Sequence, residues 1–165
     1  MKRLLTFAVI ALVPSIGICD DAKNLLKPVN KTDSWRFEKT QGGEGEFKVV
    51  DDAAVFKVTK TTGTNWHVQA FQVDLDLKEG ADYTVKVKLR AGESRSVTLV
   101  AMIDKDDWHE IGLHEDLNLT KNNQTFEFSF RARGVAEKKN RIGLVLGDEK
   151  GEVTVQEMSL TEKKP

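Results

Sequence analysis

Flat aromatic rings beside hydrogen-bonding side chains are the main candidates for chemistry in this sequence. The segment TNWHVQAF, residues 64 to 71, reads as a short strand and places Trp66 three positions before Gln69. A sugar ring has an apolar C–H face and hydroxyl groups at its rim, so a sugar binder needs an aromatic plane beside amide, guanidinium or carboxylate groups. Trp66, Gln69, Trp108 and His109 supply these types. The alternative is that both tryptophans plug the ends of a core.

Motifs for catalysis are weak by comparison. The two histidines of HEIGLHE, residues 109–115, are five apart, whereas the helical zinc-protease motif needs four. On a strand, an odd separation sends them to opposite faces. The acidic run at 104–107 lacks the glycine and the distal glutamate of a calcium loop and predicts a polar turn. A glycosidase pair could be drawn from Glu110, Glu115 and Asp116, but nothing in their spacing requires it. We therefore expect a non-catalytic protein.

The first 19 residues have the pattern of a signal peptide, with basic residues, an apolar run and then small residues. The apolar run, Leu4 to Val13, is too short to span a bilayer, and no later apolar stretch reaches about 18 residues, so we expect no membrane span. Cleavage after Cys19 would remove the only cysteine. A lipoprotein would instead acylate Cys19, although Ile18 is bulky for such a site. The predicted location is secreted or periplasmic.

The remaining chain, residues 20–165, has the length of a single domain with a short polar tail, TEKKP. Its charge is balanced, since the sequence has 25 Lys and Arg against 26 Asp and Glu. This balance gives no strong electrostatic field that would attract nucleic acid or an anionic membrane, so we expect no nucleic-acid partner.

Alternation of apolar and polar residues predicts strands over most of this domain. Tyr83, Val85, Val87 and Leu89 fall on one face of a strand. We expect eight or nine strands at roughly ten-residue intervals, forming an all-β antiparallel sandwich of the jelly-roll type. We further expect four aromatic residues in the core: Trp35, Phe126, Phe128 and Phe130.

The Trp66 strand does not alternate cleanly. Counting back from Leu77 puts Gln69 and Phe71 on the buried face, whereas counting forward from Trp66 puts Val68 and its alternate neighbours inside. A bulge near residues 70–72 would reconcile the two phases, because a bulge adds one residue and resets the alternation.

From about residue 24 to 160, the chain resembles the CenC-type carbohydrate-binding modules, also described as the family 4, 9, 16 and 22 group, with a galactose-binding-domain-like jelly roll. Three ordered matches carry the resemblance. They are Trp66 with Gln69, a Leu-x-x-Gly-x-x-Tyr turn at 77–83, and a late strand that ends at Leu146 and Gly147.

The resemblance implies a binding function and a set of residues. Members of the family bind β-linked polysaccharides such as xylan, cellulose or other β-glucans in a cleft on the concave sheet, and they usually accompany a catalytic domain. Trp66 and Gln69 would lie in or beside this cleft, with Trp108 as a second aromatic platform. Further residues carried over by strand position are Arg90, His109 and Arg141.

Two departures from the family pattern affect these expectations. The family's late calcium-binding aspartate is matched by Glu157, whose longer side chain would have to hold a structural calcium. The sequence also contains no catalytic domain, so the expected partners are a polysaccharide of the β-glucan or xylan type and a separate glycoside hydrolase or envelope protein. The competing hypothesis is an extracellular or envelope protein-interaction module with the same fold and no sugar binding.

Overall fold

Short alternating segments form ten strands in the computed structural model, which describes residues 23–164. The signal peptide and Cys19 lie outside the described residues. In the described part of the chain, no helix is long and apolar enough to cross a membrane. The strands are β1 (Arg36–Lys39), β2 (Glu44–Val50), β3 (Ala53–Lys60), β4 (Val68–Leu75), β5 (Asp82–Ala91), β6 (Arg95–Ile103), β7 (Glu110–Leu119), β8 (Gln124–Arg131), β9 (Asn140–Val145) and β10 (Gly151–Glu162).

The strands form two five-stranded antiparallel sheets. The front sheet has the order β1-β4-β9-β6-β7, and the back sheet has the order β2-β3-β10-β5-β8. Neighbours in each sheet are mostly distant in sequence, as expected when a chain passes repeatedly from one sheet to the other. The predicted all-β antiparallel sandwich of the jelly-roll type is confirmed.

The main core lies between the two sheets, where the inward residues of each strand meet. Trp35 is part of it. Its ring packs edge-on against Phe56 with centroids 5.1 Å apart, and its Nε1 donates a hydrogen bond to the carbonyl oxygen of Val29 at 3.0 Å. Phe130 is buried, whereas Phe126 and Phe128 are half-buried and pack against the core from its margin.

The segment around Trp66 differs from the predicted strand. Residues Asn65–His67 form a turn of 3-10 helix, and the strand begins only at Val68. The side chains of Val68 and Ala70 enter the core, whereas the alternate residues face outward. Pairing with β9 shifts between Gln72 and Leu75, so a bulge is present but lies two to three residues later than expected. Leu75 returns to the core because the bulge resets the alternation.

Gly143 lies where the backbones of β9 and β4 approach closely in the front sheet, and its replacement tests this packing. A Cβ atom at Gly143 would lie 2.0 Å from the carbonyl oxygen of Ala70, which is backbone and cannot rotate away. We expect Gly143→Ala to lower the free energy of unfolding by about 1–3 kcal/mol, measured by urea denaturation. Gly92→Ala is the control, since its nearest neighbour would be at 3.5 Å. Equal stability of the two variants would contradict this packing.

Candidate functional site

A cleft of about 560 Å³ opens on the outer face of the front sheet, the face that points away from the main core. Residues from four adjacent strands and three connecting segments line it. They are Glu38, Thr40, Trp66, Gln69, Met102, Trp108 and Arg141.

Two half-exposed indole rings stand at opposite ends of the cleft. Trp66 is 49% exposed and precedes β4, and Trp108 is 46% exposed and follows β6. Both strands run antiparallel to β9, so the start of β4 and the end of β6 lie at opposite ends of the sheet. In β9, Val145 pairs with Gln69 of β4, and Arg141 pairs with Met102 of β6. These two positions of β9 are four residues apart, which is roughly 13 Å along the strand.

A small apolar cluster supports the floor of the cleft from outside the main core. It consists of Phe71, Val100 and Val145, with Met102 at its margin. The guanidinium carbon of Arg141 lies 4.0 Å from the ring centroid of Phe71 and 4.6 Å from that of Trp108. A cation is attracted to the face of an aromatic ring. Arg141 therefore links Phe71 in the floor to Trp108 at its end of the cleft.

A charge-balanced network fixes the polar groups of the floor. Arg141 Nη1 donates to Glu38 Oε2 at 3.0 Å, and Gln69 Nε2 donates to the same oxygen at 3.2 Å. Arg36 forms an ion pair with Glu38 at 2.8 Å and donates two hydrogen bonds to Asp104, one of them at 2.8 Å. Two guanidinium groups therefore face two carboxylates, and Glu38 holds the Gln69 amide in place.

The charges of Asp104 and Arg141 persist at neutral pH. Burial raises the pKa of Asp104, but the hydrogen bond and charge of Arg36 outweigh it and leave that pKa below its usual value. Burial lowers the pKa of Arg141, against the opposing effect of Glu38. An arginine remains protonated nonetheless, because its ordinary pKa is above about 12.

The network leaves hydrogen-bonding capacity directed at a ligand. Gln69 donates to Glu38 through Nε2, which leaves its Oε1 as an acceptor at the cleft, and the Arg141 guanidinium lines the cleft beside it. Together with the hydroxyl of Thr40, these groups offer both donors and acceptors beside two ring planes. The arrangement suits a ligand that has apolar faces and a rim of hydroxyl groups.

The remaining candidate residues lie elsewhere. His109 follows Trp108 but does not line the cleft, since its Nδ1 lies 2.9 Å from Asp107 Oδ1 and its Nε2 lies 2.8 Å from the carbonyl oxygen of Gly134. Arg90 is exposed on β5 of the back sheet, where it lines a separate cavity of about 150 Å³. The structure therefore does not bring Arg90 together with Trp66, because Arg90 lies on the back sheet, whereas Trp66 lies at the cleft on the front sheet.

The surroundings of Glu157 do not fit a calcium site. Its carboxylate is exposed on β10 and pairs with Lys88 Nζ at 3.2 Å. Among residues 23–164, no group of three or more histidine, cysteine, aspartate or glutamate side chains is placed to hold a metal ion. Calcium needs six to eight oxygen ligands, which this exposed, lysine-paired carboxylate does not gather.

Three lining residues were missed by sequence reasoning: Glu38, Thr40 and Met102. A signal existed for the first of these, because Arg36 and Glu38 share one face of β1 while Phe37 packs on the core. Met102 gave no such signal, since it lies in a run of apolar residues that fills both faces of β6.

Comparisons with known proteins identify a family and a fold for this chain. A family model described as a carbohydrate binding domain (CBM 4/9) matches residues 22–107, which is 86 of 165 residues. A solved structure described as "CBM4 structure and function" has 21% identity and a TM-score of 0.73, covering 84% of this chain and 93% of its own.

Two further similar structures are a cellulose-binding domain and a xylan-binding domain. The second N-terminal cellulose-binding domain of Cellulomonas fimi β-1,4-glucanase C has 15% identity and a TM-score of 0.67, covering 89% of this chain and 99% of its own. The CBM22-1 xylan-binding domain of Paenibacillus barcinonensis Xyn10C has 11% identity and a TM-score of 0.54, covering 87% and 97%. No curated protein matches the sequence. The structural likeness shows a shared fold, and the family match shows that the chain belongs to the CBM 4/9 family of carbohydrate-binding domains.

Proposed function

We propose that this protein is a secreted, non-catalytic module that binds β-linked polysaccharide of the β-glucan or xylan type between Trp66 and Trp108. The observation that carries the proposal is the pair of half-exposed indoles at the two ends of one cleft. Large aromatic residues are usually buried, so exposed rings that flank a cleft favour a ligand that covers them.

The polar groups between the rings support a sugar ligand. The Gln69 amide and the Arg141 guanidinium lie on the floor, where they can meet hydroxyl groups at the rim of a sugar ring. The balanced charges of the network favour a neutral polymer over a charged one. Similar structures include a cellulose-binding and a xylan-binding domain, and both ligands are β-linked chains.

The state of the carboxylates supports binding without catalysis. A glycosidase needs two carboxyl groups about 5–10 Å apart across the sugar, one of them free to transfer a proton. Glu38, which lines the cleft, is instead held by Arg141 and Arg36. Glu110 is engaged by the Nδ1 of His114 at 2.6 Å.

The proposed location and partners rest on the sequence. Residues 1–19 have the pattern of an export signal, which would bring the module to the periplasm or the exterior. There it would act beside a separate glycoside hydrolase or an envelope protein.

Affinity electrophoresis tests the proposed function directly. The full chain is run through native gels that contain xylan, mixed-linkage β-glucan or a soluble cellulose derivative. We expect retardation on at least one polymer, with a binding free energy on the order of 5 to 7 kcal/mol, or dissociation constants from about 0.2 mM to several micromolar. Unretarded migration on every polymer would contradict the proposal and favour a protein-interaction module.

A further inference from the structure

The turn between β6 and β7 places Trp108 at the cleft in a demanding backbone conformation. Trp108 has a φ of 54°, which is unusual for a bulky residue. Such a conformation persists only where surrounding contacts hold it. Within the turn, Trp108 N donates to the carbonyl oxygen of Lys105 at 3.0 Å, and at its start Asp104 N donates to that of Lys139 at 2.6 Å.

His109 connects the other end of this turn to the segment between β8 and β9. Both ring nitrogens face acceptors, namely the Asp107 carboxylate at 2.9 Å and the carbonyl oxygen of Gly134 at 2.8 Å. A neutral imidazole has only one N–H, so only the imidazolium donates to both. The ring lies close against the segment, because a Cβ atom at Gly134 would be 2.7 Å from Nε2.

We propose that His109, as an imidazolium, is a positioning residue for Trp108. Its hydrogen bond to Gly134 ties the turn that carries Trp108 to the β8–β9 segment, its hydrogen bond to Asp107 fixes the ring within the turn, and together they keep the indole at the end of the cleft. Polysaccharide binding is then stronger when His109 is protonated. This inference rests on the proposed function.

The charges around the ring favour the cation. The hydrogen bond to Asp107 and then that to Gly134 raise the pKa of His109 above its ordinary value, while Lys105 opposes them. Glu110, the next residue in β7, is engaged by His114. Within the described residues, the charged side chains of the facing segment make no hydrogen bond or ion pair with the ring; they are Arg133, Glu137, Lys138 and Lys139.

The direction of the pH effect follows from this raised pKa. Both bonds are present below the ordinary histidine pKa of about 6.5, and one of them is lost as the pH rises through the raised value. Asp107 has a lowered pKa, caused first by its hydrogen bond with His109, so its carboxylate remains charged down to below about pH 4. We therefore expect the tie to be complete between about pH 4 and 6.5.

The other two histidines serve as matched controls. His67 lies edge-on to Trp66 with ring centroids 4.2 Å apart, and its Nδ1 contacts the hydroxyl of Thr62, which either donates or accepts. His114 contacts Glu110 through Nδ1. Neither ring faces two acceptors, so neither contact requires the cation at both nitrogens.

The test is the pH dependence of polymer affinity for the full chain. Binding to xylan and to mixed-linkage β-glucan is measured by affinity electrophoresis from about pH 5 to about pH 9. We expect wild-type affinity to fall about three- to tenfold across this range, the factor for losing one hydrogen bond. We expect His109→Gln to bind with the weaker affinity throughout, and His67→Gln and His114→Gln to keep the wild-type pH profile.

Three outcomes would overturn the inference. They are a wild-type affinity independent of pH, a His109→Gln variant with the wild-type profile, and an NMR titration midpoint of His109 below about 6.5. Asp107→Asn adds an independent variant, which should lower that midpoint. A wild-type protein that binds no polymer at any pH would contradict the proposed function instead, and the NMR midpoint would then decide whether His109 forms the tie.

Discussion

Replacing Trp66 by alanine is expected to weaken polysaccharide binding by at least about 30-fold, or about 2 kcal/mol, because tryptophan residues often carry much of the free energy of a binding surface. The fold should be unaffected. Trp66 is 49% exposed and lies in a turn before β4, so its removal leaves no cavity. We expect the free energy of unfolding to stay within about 0.5 kcal/mol of wild type.

Affinity electrophoresis and urea denaturation of the same variant measure both quantities. The matched control is Val50→Ala, which removes an exposed apolar side chain from the back sheet, away from the cleft. This control should retain full binding. If Trp66→Ala bound polymer as tightly as wild type, the site would have to lie elsewhere, although the binding function itself would stand.

Replacing Trp35 by alanine is expected to have its main effect on stability, in contrast to Trp66→Ala. Trp35 is 7% exposed and packs against Phe56, so truncation leaves a large cavity in the core. It also removes the hydrogen bond to the carbonyl oxygen of Val29. We expect the free energy of unfolding to fall by about 3–5 kcal/mol, measured by urea denaturation.

Trp35→Phe separates the two contributions. Phenylalanine keeps a ring against Phe56 but has no Nε1 donor, so we expect a smaller loss of about 1–3 kcal/mol from the unpaired carbonyl. A loss below about 1 kcal/mol for Trp35→Ala would show that this side chain is not part of the core.

Alternation predicted the fold well where one face of a strand is polar. The strand of Tyr83 and Leu89 is an example, since its polar residues separate the inward side chains cleanly. In β4, the first five residues are all buried, because one face packs on the core and the other on the floor of the cleft. Alternation disappears in such a strand, so the sequence indicated that a bulge was needed but placed it two to three residues too early.

Residue types singled out part of the cleft lining, and tertiary pairing decided the rest. Trp66, Gln69 and Trp108 lie at one cleft, as their types suggested. Alternation tells inward from outward side chains but does not say which sheet a strand joins, and for this reason Arg90 was grouped with residues of the other sheet. His109 does not line the cleft, because its ring is held between Asp107 and the carbonyl oxygen of Gly134.

The bulge in β4 divides one strand into two parts with separate roles. Before it, Gln69 lines the cleft and Phe71 packs beneath the floor, and after it Leu75 seals the core. Substitutions among the outward residues of the first part can change ligand preference without changing the phase of the second part. Evolution can therefore vary ligand specificity through the outward residues of this strand while the packing of the two sheets is retained.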